Sequence, residues 1–193
     1  MDINNINIGN ISKVMFLPLI ILIILIWFVK TSNRLNRYQV IIKESKRNLD
    51  IAISKRYDTL CQMIKVAKSF ARHEKTTFSE IIKLRQGSDI KDLDKTIKIQ
   101  DKTIDRIYAL AESYPELRSS DEFLRIQDEI DDENEQLAAA KRIVNNNISI
   151  INQEVVTFPT SIVAGLKGLK QLDFLEEDDL TRKKSIDDFD YDI

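Results

Sequence analysis

His73 beside Glu74 is the one pairing in this chain that could work as a general base, the carboxylate orienting the imidazole. It is also the only histidine, and a lone histidine without a positioned nucleophile completes no triad. A polar flank of a helix, bonded to a facing helix, suits it better. The acidic run Asp128-Glu129-Ile130-Asp131-Asp132-Glu133-Asn134-Glu135 is the best metal candidate. Asp128, Asp132 and Glu135 fall at i, i+4 and i+7, on one helical face. Yet the run lacks the glycine and spacing of an EF-hand loop and the Glu-x-x-His pairs of a bundle di-iron centre, so a solvated face is expected. Arg56, Tyr57 and Asp58 form a third group. Arg56 and Asp58 are two apart and point to different sides of a helix. Each is expected to pair with another helix and fix register. The single cysteine, Cys61, excludes an intramolecular disulfide and a cysteine-built metal site; it lies in an apolar stretch and is expected to be a buried, inert thiol. No phosphate loop, dinucleotide fingerprint or Gly-x-Ser-x-Gly motif is present. The expectation is a protein with no catalytic residue, no metal site and no cofactor, and therefore not an enzyme.

The elements that must position these residues begin with a conspicuous apolar run, Val14 to Val29, closed by Lys13 and Lys30. It would span about 24 Å as a helix, somewhat short of a hydrocarbon core of ~30 Å; lysine stems at both ends can snorkel across the shortfall. Trp27 and Phe28 stand where an aromatic belt would form, and Pro18 is expected in the first turn or two, where it costs a helix least. A cleaved signal peptide would want a basic leader and a small-residue cleavage site, and neither is present. Lys30, Arg34, Arg37, Lys43, Lys46 and Arg47 follow the run, whereas only Lys13 precedes it. That asymmetry predicts a single-pass anchor in an inner or plasma membrane, with the N-terminus outside and the large domain in the cytoplasm.

In the 193 residues there are 4 glycines and 3 prolines, and 31% of residues are charged, a balance that favours long helices with few turns. The net charge of -2 argues against nucleic-acid binding. Apolar residues recur at three and four from Leu35 to Ile81, from Ile90 to Ala111 and from Phe123 to Val155, the stripes of three amphipathic helices. The first is expected from Ser32 to Arg85, with Thr77–Glu80 a candidate capping box for a restart and Gly87 with Ser88 the stop and next start. The second is expected from Asp89 until Tyr114-Pro115 stops it, and the third from Ser120 to Phe158, capped by Ser119 with Glu122. The apolar segment from Ser161 to Leu172 could cap the bundle or lie on the membrane surface. An acidic stretch follows and reads as a disordered tail. The fold expected is all-α: leader 1–13, transmembrane anchor 14–30, elongated antiparallel helical bundle 31–172 and tail 173–193.

Several stretches together resemble the LemA family of bacterial membrane proteins. They are Asn48-Leu49-Asp50-Ile51-Ala52, Lys55-Arg56-Tyr57-Asp58-Thr59-Leu60, Ala71-Arg72-His73-Glu74-Lys75, Leu84-Arg85, Tyr114-Pro115-Glu116-Leu117, Phe123-Leu124, Asn134 to Arg142, Asn152, Phe158-Pro159 and Ala164-Gly165-Leu166. The likeness covers Arg34 to Lys170. It implies an N-terminal anchor and a long antiparallel bundle, and it implies no enzyme. Cys61 departs from the family's usual proline, and Ile151-Asn152 from its tyrosine-asparagine. Interaction or register-fixing polar positions are expected at Arg56, Tyr57, Asp58, His73, Glu74 and Arg85. The functional expectation is a membrane-anchored helical scaffold, with the bilayer engaged through residues 14–30, protein partners on the bundle, and anionic lipid in reach of the basic juxtamembrane face. The alternative is a lipid-surface or membrane-remodelling protein that uses the basic helix start and the Ser161–Lys170 segment.

Overall fold

A computed structural model describes residues 8–70 and 90–176. The protein is all-α, with α1 (Ile8–Phe70), α2 (Ile90–Ser113), α3 (Pro115–Arg118), α4 (Asp121–Val156) and α5 (Thr160–Leu166). His73, Glu74 and Arg85, the Thr77–Glu80 and Gly87–Ser88 signals, and the tail beyond Glu176 lie outside the described residues.

α1 runs unbroken from the apolar run into the charged amphipathic segment. Its N-terminal part is long and apolar enough to cross a membrane, and only 6% of its apolar window is covered by the rest of the chain. The helix starts at Ile8, ahead of the apolar run, so Pro18 lies inside it rather than in its first turns. Beyond the run, burial follows a period of seven. Leu35, Ile42, Leu49, Arg56 and Met63 are buried on α1; Leu93, Gln100 and Ile107 on α2; Phe123, Ile130, Leu137, Val144 and Ile151 on α4. This period holds one seam of each helix against its neighbours. Two slots in these apolar series carry polar side chains, Arg56 and Gln100.

Helix boundaries follow local chemistry. Tyr114 leaves the helical region before Pro115, which opens α3 at its first position. Ser120, one residue later than the expected cap, accepts the Phe123 amide on its Oγ at 3.3 Å and starts α4. Ser119 instead donates to the Pro115 carbonyl. At the end of α5, Gly168 takes φ 67°, its amide bonds Gly165 O, and the Leu169 amide bonds Ala164 O. These are the two bonds of a Schellman closure, which places glycine where a Cβ would be strained.

Direction is read from contacts. Thr59 of α1 meets Glu133 of α4, and Leu60, Met63 and Ala67 share a core with Phe123, Ile126 and Ile130, so α4 runs antiparallel to this part of α1. Tyr108 of α2 feels Asp131 and Asp94 feels Lys141, so α2 is also antiparallel to α4 and shares the direction of α1.

The chain divides into two compact units. One comprises residues up to Ile41 with Ser149–Leu172; the other comprises Ile42–Ile148 with the segment from Asp173. In the first, Leu35, Val163 and Ala164 form a small core, and Trp27, Phe28, Val155 and Leu169 pack on it. In the second, a larger core joins Leu60, Met63 and Ala67 of α1 to Ile104 and Ile107 of α2, Leu117 of α3, and Phe123, Ile126 and Ile130 of α4.

Candidate functional site

The second unit carries a buried polar contact in the middle of its helices. Arg56 occupies an apolar slot of α1, and its side chain is 4% exposed, whereas its partner Asp101 on α2 is 43% exposed. Arg56 Nη2 donates to Asp101 Oδ1 at 2.5 Å and Nη1 to Gln100 Oε1 at 3.5 Å. Gln100 in turn donates from Nε2 to the Ile53 carbonyl at 3.1 Å. A slip of one helical turn would leave the guanidinium buried without its carboxylate. Arg56 Nε has no hydrogen-bond partner, so the ion pair is the main compensation for its burial.

One turn on, buried Thr59 donates from Oγ1 to Glu133 Oε1 at 2.9 Å. Glu133 Oε2 is buried without a partner. Burial raises the Glu133 carboxyl above the ordinary glutamate range and neighbouring Glu129 adds to this; Thr59, Arg56 and Lys55 pull it the other way. Lys55, Asp58, Thr59, Glu129, Asp132 and Glu133 line a shallow groove of about 420 Å³ between α1 and α4. Its lining is acidic, which favours positively charged groups. Among the described residues, no three His, Cys, Asp or Glu side chains are placed to hold a metal ion.

A third feature lies at the end of the described chain. Asn145 brackets Leu175, accepting its amide on Oδ1 at 2.9 Å and donating from Nδ2 to its carbonyl at 3.0 Å. The Leu175 side chain is 2% exposed, the Glu176 amide donates to Asp94, and Lys98 pairs with Glu176. The packed chain therefore continues to Glu176, past the Leu172 boundary drawn from sequence. Burial raises Asp94, while the Glu176 amide and Lys141 oppose this. In the first unit, Asn152 brackets Leu172 in the same two-bond manner, at 2.8 and 2.9 Å.

The sequence-predicted positions thus separate. Arg56 is buried and paired; Tyr57 is half-buried against the larger core; Asp58 is exposed on the groove. Of the acidic run, Asp128, Asp132 and Glu135 are exposed, while Glu129 and Glu133 are half-buried. Cys61 is half-buried rather than fully inside. Gln100, Asp101 and Asn145 were not singled out from sequence, and Thr59 and Glu133 stood there only within longer runs. A polar residue in a seven-residue apolar series is the signal that could have found Gln100; nothing local distinguishes Asn145 from its neighbours Asn146 and Asn147.

A raised carboxyl has a stability consequence with a definite sign. The folded state holds the Glu133 proton to higher pH than the unfolded state does, so stability falls as pH rises from the ordinary value of 4.5 through the raised one. Glu133→Gln keeps an acceptor for Thr59 and removes the buried charge. The variant should melt higher than wild type at neutral pH, and the advantage should vanish well below pH 4.5. An equal gain at both pH values would show that charge burial is not the cause.

These contacts define a class: an all-α protein with a buried, paired arginine between its helices, led by a helix long and apolar enough to span a membrane. The model of the LemA family matches residues 45–187, and the chain belongs to that family. It is similar to Protein LemA of Metamycoplasma hominis, with 27% identity over 180 residues that cover 89% of this chain and 82% of that relative.

Proposed function

We propose that this protein is a non-enzymatic, single-pass membrane-anchored helical scaffold that presents its bundle to protein partners. The observation that carries this reading is the continuity of α1, which passes from an apolar, exposed segment into a buried seven-residue stripe without a break. A continuous helix transmits the position of an anchor to the domain more stiffly than a linker would. The excess of Lys and Arg after the apolar run supports an inner or plasma membrane protein with its bundle in the cytoplasm. Exposed apolar side chains on the larger unit, Ile51, Leu124 and Ile143, supply surface for partners.

A photo-crosslinker at these three positions, activated in native membranes, tests the scaffold reading. The expected result is a discrete protein adduct that is lost when the position is moved to a neighbouring polar residue. Adducts to lipid alone would favour the second reading, a lipid-surface or membrane-remodelling protein, which the exposed apolar side chains on α5 support. Orientation is tested separately: a C-terminal reporter active only after export should stay silent, and activity would reverse the topology.

A further inference from the structure

We propose that α5 and the turn before it form a foot that enters the boundary between headgroups and acyl chains of the bilayer holding this chain's own anchor. The proposal rests on the reading of residues 14–30 as a span, and it adds a second contact with the membrane, made by a segment far away in sequence.

The two faces of α5 are unlike. Val163 and Ala164 are buried against Leu35, with Trp27 and Phe28 packed on the same cluster. On the other side Ile162 is 54% exposed and Leu166 is 73% exposed; Phe158, four residues before Ile162, is 77% exposed. Ile162 and Leu166, four apart, make a stripe on one face of α5, and Phe158 adds a third exposed apolar side chain from the turn before it. Such a stripe is unfavourable in water, and the fold cannot turn it inward, because both ends of α5 are tied to α1. Arg34 donates to Thr160 Oγ1 at 3.2 Å. Lys167 donates from Nζ to Ser32 Oγ at 2.9 Å and to Asn36 Oδ1 at 2.5 Å. Gly168 then closes the helix and sends Leu169 back to the core.

The neighbours of α5 identify what covers the stripe. Trp27 and Phe28 end the apolar run just before Lys30, where aromatic side chains sit at headgroup level. From Phe28 to Leu35 is only about 10 Å along the helix axis. Because Trp27 and Phe28 pack on the same cluster as Val163 and Ala164, α5 is held beside the aromatic belt, where an interfacial amphipathic helix buries its apolar side by about 5–10 Å. The contact is apolar in kind. Of the cations near α5, Lys167 is engaged as above and Arg34 with Glu154, while Lys30, Arg37 and Lys170 are exposed. The apolar side chains of the foot thus take the glycerol and upper acyl region. Two points of attachment fix the rotation of α1 about its axis, and so the side of the first unit that faces the membrane.

The test uses the full chain with Cys61→Ser, reconstituted in phosphatidylcholine nanodiscs and carrying one nitroxide at a time at Leu22, Ile162, Leu166 or Glu112 through a cysteine substitution. Collision with oxygen, enriched in lipid, is compared with collision with a water-soluble nickel chelate. Ile162 and Leu166 should favour oxygen severalfold over Glu112, in the same sense as Leu22, and 1 M salt should not change this. A second variant, Phe158→Glu, should move the Leu166 label toward water. If Leu22 is in lipid while Ile162 and Leu166 behave like Glu112, or are shielded from both reagents by protein, the foot is wrong and the span stands. If Leu22 itself is in water, the span reading fails and takes the foot with it.

Discussion

Replacing Asp101 with alanine should destabilise the larger unit by about 3 kcal/mol, far more than a carboxylate with 43% of its side chain exposed usually contributes. The reason lies in its partner. Arg56 is 4% exposed, and its Nε has no hydrogen bond. Without Asp101 a guanidinium would remain in the core with Gln100 as its hydrogen-bond partner and no carboxylate bonded to it, and a poorly compensated buried charge is costly where an exposed one is not. The reverse change should be mild. Arg56→Met puts an apolar side chain into a slot whose neighbours in the series are Leu49 and Met63, and Asp101 is exposed enough to be solvated when left alone. Such replacement of a buried ion pair is often neutral or stabilising by about 1–4 kcal/mol. The double variant Arg56→Met with Asp101→Ala should therefore recover most of what Asp101→Ala loses. Urea unfolding of the three variants, followed by helical circular dichroism, gives the comparison. If Asp101→Ala costs no more than an ordinary surface carboxylate, the pair does not compensate the burial of Arg56.

Arg56 also shows how far sequence could reach. Its placement between apolar residues on a helix marks it as a residue that needs a partner, and the helix itself is legible because the apolar stripe repeats without proline or glycine. The partner is not legible. Asp101 and Gln100 are chosen by the axial offset between α1 and α2, and that offset is set by side-chain packing along both helices at once. Likewise Glu129 and Glu133 look from sequence like members of one solvated acidic face with Asp128 and Asp132. Their half-burial depends on where α4 meets Thr59, which no local pattern encodes. The Ser120 cap illustrates a smaller ambiguity. Two serines precede α4, and Glu122 made Ser119 the better capping-box match, but the amide that needs an acceptor is that of Phe123.

The segment after Leu172 was the least legible part of the packed chain, and it yields the second large effect. Leu175→Ala should cost about 2 kcal/mol or more, as buried leucine truncations do, although acidic residues surround the position. Composition suggests disorder there because Asp173, Glu176 and Glu177 dominate the count. What composition does not register is that one buried leucine and a main chain held at both its polar groups can dock a short segment. Asn145 satisfies the Leu175 amide and carbonyl together, so the extended chain leaves neither group unpaired. The Lys98–Glu176 pair, with both side chains more than half exposed, adds little. A short segment held mainly by one leucine and this clamp can undock as a unit. The loss on mutation is then limited to the free energy of docking, and Asn145→Ala added to Leu175→Ala should cost almost nothing further, a strongly non-additive pair. Hydrogen exchange resolves the event. The Leu175 amide should be protected in wild type and exchange freely in either single variant, while amides around Ile107 and Ile130 keep most of their protection. Additive losses, or a Leu175 amide still protected after Asn145→Ala, would mean that the segment is held by something other than this clamp.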